Sequence, residues 1–154
     1  MEQVDNMASN FNDTTPAAPA GSLNVKWQTD GSGNDSAYYK VPFALGVFAP
    51  GLGVASQKLV RIVPTSAVKF LAGAAASVAV ASAASTGTVV FSIYKNGGSA
   101  FATITFTSSA TGVWAQASDA TFNGTSDLLE IDGPVSPDAT LADVGITFAG
   151  FRTA

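Results

Sequence analysis

The sequence predicts an all-β protein, an antiparallel β-sandwich or jelly roll with an extended N-terminal arm. From about residue 41 onward the chain consists of short runs rich in Val, Ile, Thr and aromatic residues, which favour strands. Gly, Ser, Pro and Asn separate these runs, as turns between strands require. No stretch has a convincing amphipathic helical period. Roughly eight strands separated by turns are typical of a sandwich or a jelly roll.

The first 40 residues differ in character from the rest, so we divide the chain into an arm, residues 1–40, and a body, residues 41–154. Pro16 and Pro19 favour an extended polyproline conformation in the arm. Residues 22–28 alternate between apolar and polar and are predicted to form a strand. Because a single strand is unstable alone, we expect it to join the sheet of its own body or of a neighbouring subunit.

The arm also contains our candidates for an interface. The apolar side of the predicted strand would combine aliphatic and aromatic side chains, and two tyrosines follow shortly afterwards. An exposed apolar stripe of this kind promotes association in a free monomer, so we expect it to be buried. The interface candidates are Leu23, Val25, Trp27, Tyr38 and Tyr39.

An extended run, residues 37–50, crosses from the arm into the body, and Pro42 interrupts it. The clearest element is 88–107, in which two β-rich runs flank Asn96-Gly97 and predict a tight hairpin. The Ala- and Ser-rich segment 73–87 is predicted to be a loop or an irregular strand, with a short helix as the alternative. The other predicted strands lie within 57–64, 66–72, 113–117, 125–134 and 139–152, and the last has Ile146, Phe148 and Phe151 as inward candidates.

Composition excludes several classes of function. The chain has 154 residues, no His and no Cys, which removes disulfides, thiolate metal sites and His-based catalysis. Its seven Lys and Arg residues are scattered and its net charge is −4, so a nucleic-acid surface is not expected. The polar N-terminus lacks the pattern of a secretory signal. Residues 67–85 are mostly Ala and Ser and include Lys69, so we expect no membrane span and no membrane partner.

Two motifs suggest chemistry, and both have a simpler interpretation. Glu130 and Asp132 lie two apart on a predicted strand, as a carboxylate pair of a glycosidase could, but we interpret them as solvent-facing residues that alternate with Leu129 and Ile131. Residues 29–35 superficially resemble the start of a calcium loop, but Asp35 and Val41 stand where such a loop has Gly and Glu, so we interpret them as a turn-rich loop. The sequence therefore predicts no catalytic residues, no metal site and no cofactor.

Two stretches resemble small β-rich structural proteins of tailed bacteriophages and prophages. Residues 120–152, ATFNGTSDLLEIDGPVSPDATLADVGITFAGFR, resemble the closing segment of such proteins, with the Gly133-Pro134 turn ahead of a last strand. Residues 11–28, FNDTTPAAPAGSLNVKWQ, resemble segments that recur in them. The resemblance implies a non-enzymatic virion component, either a capsid decoration (cement) protein, a head fibre, or a tail-fibre or baseplate module.

Three hypotheses of function follow. In the first, the chain decorates the capsid as a homo-oligomer in the virion, with the major capsid protein or other virion proteins as partners and the arm crossing subunit boundaries. In the second, it is a tail-fibre or baseplate module that binds host-surface glycans through aromatic side chains, Trp27, Tyr38, Tyr39 and Trp114, although core packing explains Trp114 equally well. The third, a carbohydrate-active enzyme using Glu130 and Asp132, has the least support.

Overall fold

The computed structural model describes residues 25–29, 35–39, 41–51 and 54–153, the first two segments as backbone only. Contacts divide the chain into two units between Tyr39 and Lys40. The described part of the first unit is an antiparallel hairpin of β1 (Val25–Thr29) and β2 (Asp35–Tyr39). The strand predicted from residues 22–28 therefore coincides with β1 over most of its length.

The second unit is built from short antiparallel strands, as the sequence predicts. Its described residues contain a single 3-10 turn, Ala72–Ala74, and no helix long and apolar enough to span a membrane. Its strands are β3 (Val41–Ala49), β4 (Lys58–Ile62), β5 (Val68–Phe70), β6 (Val78–Val80), β7 (Thr88–Lys95), β8 (Ala100–Thr107), β9 (Val113–Gln116), β10 (Ala120–Phe122), β11 (Leu129–Asp132) and β12 (Val144–Arg152).

These strands form two five-stranded sheets. Sheet I has the order β10-β5-β12-β3, with β6 also paired to β12, and sheet II has the order β4-β11-β7-β8-β9. The pairs are nested along the chain: β3 pairs with β12, β4 with β11, β5 with β10, and β7 with β8. Nested antiparallel pairs distributed over two sheets make a jelly roll, so the predicted fold class is confirmed.

Aromatic rings dominate the core between the sheets. Phe148 on β12 stacks on Phe70 of β5 with ring centroids 3.9 Å apart, and on Trp114 of β9 at 5.0 Å. Phe122 meets Phe70 edge to face at 5.7 Å. Phe70, Phe122 and Phe148 are fully buried, and Trp114 is partly buried against them. Rings from both sheets therefore meet in one cluster, in which stacked and edge-to-face contacts add to the burial of apolar area.

The predicted hairpin turns at Asn96-Gly97. Both residues have positive φ, 55° and 66°, and the Gly98 N–H donates to the Lys95 carbonyl oxygen over 3.0 Å. Two central residues in the left-handed region define a type I′ turn, whose twist matches that of the flanking strands. This prediction is confirmed, because the turn depends on residues adjacent in sequence.

Segment 73–87 is irregular, as predicted, apart from the 3-10 turn, the three residues of β6 and an isolated bridge from Ala83 to Ala142. Pro42 lies inside β3 rather than interrupting it. Because β3 is an edge strand, a residue without an N–H can be accommodated there. β6 falls within the segment predicted to be a loop or an irregular strand, whereas sequence analysis missed β10, since three residues are too few to establish a period.

Candidate association surface

Four of the five interface candidates lie in the hairpin of the first unit. The register places Val25 opposite Tyr39 and Lys26 opposite Tyr38, and Trp27 faces Ala37 across the ladder. Leu23 lies outside the described residues. β1 pairs with β2, so it joins a sheet formed within the first unit. Residues 35–39 are also able to form a strand, and closing a short loop costs less entropy than a distant pairing.

A second surface lies on the body, on the outward side of sheet I, where β3, β6 and β12 carry no charged residue at their outward positions. Inward and outward positions alternate along β3 and β12, with Val47 and Ile146 buried between the sheets. Their registers with each other and with β6 place ten outward residues together. We call this set the outer face of sheet I: Pro42, Ala44, Gly46, Phe48, Val78, Val80, Gly145, Thr147, Ala149 and Phe151.

Several side chains on this face are strongly exposed. The exposed fraction is 64% for Phe48, 52% for Val78 and 48% for Val80. Gly145 lies opposite Phe48 on one side and Val80 on the other, so the two large side chains flank a glycine. The charged residue beside the face is Lys69 on β5, whose ammonium is 2.7 Å from the Asp119 carboxylate.

The outward side of sheet II has the opposite character. Thr103 and Thr105 on β8 lie opposite Ser92 and Val90 on β7. Next to them, Lys58 and Arg61 on β4 pair with the carboxylates of β11. Hydroxyl groups and ion pairs are compatible with water, whereas the outer face of sheet I is apolar. The outer face of sheet II therefore suits contact with water, whereas the outer face of sheet I suits contact with another apolar surface.

The carboxylates of β11 differ from their predicted setting. Glu130 is 4% exposed, not solvent-facing, and its Oε1 lies 3.0 Å from the Arg61 Nε and 3.7 Å from the Lys58 Nζ. Asp132 accepts a hydrogen bond from Lys58 at 2.7 Å. Because β11 is flanked by β4 and β7, Tyr94 and Arg61 lie opposite Glu130 and cover it. The two carboxylates belong to an ion-pair cluster with Lys58 and Arg61.

A polar network, which sequence analysis missed, ties the hairpin turn to the loop before β11. The Asp127 carboxylate accepts hydrogen bonds from the Asn123 N–H at 2.8 Å and the Asn96 side-chain amide at 2.7 Å, and it lies 2.9 Å from the Lys95 ammonium. Asn96 in turn accepts a hydrogen bond from the Leu128 N–H at 2.7 Å. These contacts span about thirty residues of chain, a separation at which local sequence patterns carry no signal.

The network should make stability depend on acid. Hydrogen bonds from the Asn123 N–H and the Asn96 amide, followed by Lys95, lower the pKa of Asp127 to about 2. Hydrogen bonds from the Thr140 hydroxyl and N–H, then from Thr86, lower the pKa of Asp138 as well. A depressed carboxyl pKa stabilises the fold above the unfolded-state value of about 3.9, and that stabilisation is lost as the pH falls through the folded-state pKa.

We therefore expect the free energy of unfolding, measured by urea titration, to fall as the pH decreases from about 4 toward 2. Asp127→Asn should remove part of this dependence, because the amide does not titrate. Val135→Ala, an exposed position where no titratable group is changed, is the control and should keep the dependence of the parent. An identical acid response in Asp127→Asn and the parent would contradict the assignment.

An open cavity of about 520 Å³ lies at the edge formed by β8 and β9. Phe101, Trp114 and Gln116 line it, with small residues around them. The Gln116 side-chain amide donates to the carbonyl oxygens of Phe70 and Ser118, at 3.1 and 2.9 Å, and so closes this edge of the sandwich. Trp114, which sequence analysis left open between core and surface, has both roles, since it stacks on Phe148 and lines the cavity.

The candidate calcium loop, residues 29–35, falls largely outside the described residues. Within the described ranges, no group of three or more acidic side chains is placed to hold a metal ion.

Comparison with known proteins identifies no family. No model of a protein family matches this chain, and no curated protein matches it either.

Proposed function

We propose that this chain is a non-enzymatic structural protein of a phage virion, and that it decorates the capsid by binding the major capsid lattice. The observation that carries the proposal is the contrast between the two outer faces of the body. One face is charged and rich in hydroxyl groups, and the other is uncharged with large exposed apolar side chains. The largest apolar patch on the surface of a protein is often functional, so the contrast favours a protein that works in an assembly.

The resemblance of residues 11–28 and 120–152 to phage structural proteins supports the choice of assembly. A shell offers many identical binding positions, so a protein present in many copies needs modest affinity per position when its copies are linked. The N-terminal unit, with its tryptophan and tyrosines, suits a contact outside the body. The net charge of the chain, −4, would keep the decorated surface hydrated and soluble.

Copy number and reconstitution test the proposal. Purified protein is added to capsids that lack it, unbound protein is removed by sedimentation, and bound protein is measured by gel densitometry against the major capsid protein. We expect saturable binding at hundreds of copies per particle. Binding at a few dozen copies would indicate a tail location, and no binding to either heads or tails would contradict the proposal.

Trp27→Ala tests the contribution of the arm to attachment. Truncation of a large aromatic at the centre of an interface commonly costs about 2 kcal/mol, or roughly 30-fold in affinity. We expect this loss in the capsid-binding assay, with the far-UV circular dichroism of the body unchanged. Gln28→Ala, on the next position of the same strand, is the matched control and should bind like the parent. Equal affinities for Trp27→Ala and Gln28→Ala would show that Trp27 is not in the interface.

The cavity at the edge formed by β8 and β9 favours a second candidate function, binding of a host-surface glycan by a tail-fibre or baseplate module. Phe101 and Trp114 line this cavity, and aromatic side chains are the usual platforms for sugar rings. Titration of the Trp27→Phe variant with host glycan fragments tests this alternative, because Trp114 is then the sole tryptophan. A saturable change in fluorescence would support it, and an unchanged spectrum with all fragments would not.

A further inference from the structure

We infer that the outer face of sheet I is covered by a second copy of this chain, in a closed symmetric homo-oligomer. The inference deepens the proposed function, since it names the occupant of the face on which that proposal depends. Three features of the body lead to it: the composition of both sides of β3 and β12, the placement of two glycines, and the absence of charge across the face.

The first feature is the sequence of the two central strands of the face. β3 reads VPFALGVFA, with no polar residue at inward or outward positions, and β12 reads VGITFAGFR. A strand with one side exposed to solvent alternates apolar and polar residues, as AFATITFT in β8 does. Strands that are buried on both sides are apolar throughout. The composition of β3 and β12 is therefore that of strands with both sides covered, although in the single chain Phe48 is 64% exposed.

The second feature is the placement of two of the three glycines inside these strands, Gly46 and Gly145. Gly150 has a reason within the chain, because an added Cβ would lie 2.6 Å from the Lys69 carbonyl oxygen. Gly46 has nothing within 4 Å of an added Cβ, and Gly145 has only the Val80 carbonyl oxygen at 3.8 Å. Neither lies at a register shift between β3 and β12. Glycine weakens a strand, so an interior glycine without an internal reason indicates the close approach of another chain.

The third feature identifies that other chain. The ten residues of the face carry no charge, while the whole chain has a net charge of −4. Two copies can therefore meet on this face without like-charge repulsion. The shape of the face is also complementary to that of a second copy, because Phe48 projects beside Gly46 and Gly145, which have no side chains. A two-fold interface brings residue i against j and j against i, which would seat each Phe48 over the glycines of its partner.

The dimensions of the face suit the centre of such an interface. β3 and β12 have nine residues each, so they are about 30 Å long and together about 10 Å wide, and the three residues of β6 add about 10 Å of a third strand, which gives roughly 350 Å². A stable interface buries about 800 Å² per partner, with an apolar centre and a polar rim.

Sedimentation velocity of the full-length chain tests the inference. Since association follows mass action, the protein is measured from about 1 to about 100 µM. We expect the parent to form an oligomer. In Phe48→Asp we expect association to be at least about 30-fold weaker, the usual effect of removing an aromatic side chain from the centre of an interface. Gly46→Val should also dissociate the oligomer while leaving the monomer folded, because the added side chain meets open space within the chain. Val90→Asp, on the outer side of sheet II, is the matched control and should associate like the parent.

A parent that stays monomeric at every concentration would overturn the inference, as would oligomers of Phe48→Asp and Gly46→Val as stable as those of the parent. Loss of association in Trp27→Ala with full association in Phe48→Asp would place the interface in the arm instead. Failure here is distinct from failure of the proposed function: a monomer that still binds capsids leaves the function intact, and an oligomer that binds no virion part leaves the interface intact.

Discussion

Phe148→Ala is expected to lower the free energy of unfolding by about 3–5 kcal/mol, the usual cost of truncating a fully buried phenylalanine. Phe148 is completely buried on β12, the strand of sheet I that pairs with β3, β5 and β6. It lies between Phe70 and Trp114 in the stack of rings, so its removal leaves a void between both sheets. The neighbouring rings cannot close this void without breaking their own contacts.

Urea titration followed by far-UV circular dichroism measures this loss, at one protein concentration for all variants because association would add to apparent stability. Phe148→Leu keeps most of the volume and should cost much less, about 1.5 kcal/mol or below. Val135→Ala, at an exposed position, should stay within about 0.5 kcal/mol of the parent. If Phe148→Ala and Val135→Ala were equally stable, the ring cluster would not be the centre of the core.

The fold class was predictable because its signals are local. The strands of 88–107 and the turn at Asn96-Gly97 depend on neighbouring residues, and the structure has them as predicted. The pairing of β3 with β12 joins residues about one hundred positions apart, and no local pattern specifies it. The choice between a sandwich and a jelly roll therefore required the structure, since it depends on which distant strands are neighbours.

The same reason explains the error at Glu130. Alternation with Leu129 and Ile131 correctly places its side chain on the outer side of sheet II. Alternation does not reveal that β11 lies between β4 and β7, whose Arg61 and Tyr94 cover the carboxylate. Exposure depends on neighbours across the sheet, and a sequence pattern along one strand does not contain them.

The outer face of sheet I shows the converse. The sequence VPFALGVFA contains no polar residue, which indicates a strand covered on both sides, but the same run also fits an ordinary strand next to an apolar core. The structure separates the two interpretations because it assigns Phe48 and Gly46 to the outside. The interface candidates of the arm rest on sequence alone, since the structure describes the backbone of Val25, Trp27, Tyr38 and Tyr39.

Gly124→Ala is expected to lower the free energy of unfolding by about 3 kcal/mol, at the upper end of what overpacking costs. A Cβ at this position would lie 2.5 Å from the carbonyl carbon of Ser66 and 2.6 Å from its Cα. These are backbone atoms, so the clash cannot be relieved by a rotamer change. The loop would have to move, which strains the hydrogen bond from the Thr125 N–H to the Pro64 carbonyl oxygen and the contacts of Asp127 with Asn123.

Gly46→Ala is the matched control, and its expected effect has the opposite sign. No atom lies within 4 Å of the added methyl group, and glycine inside a strand is less stable than alanine by about 0.5–1 kcal/mol, so the variant should gain up to that amount. Both variants are measured by urea titration at a concentration where sedimentation shows monomer. A similar loss in the two would mean that backbone freedom, rather than the contact with Ser66, determines the cost at Gly124. A gain at Gly46 would show that this glycine does not serve the stability of the single chain, which leaves contact with another chain as the reason for its presence.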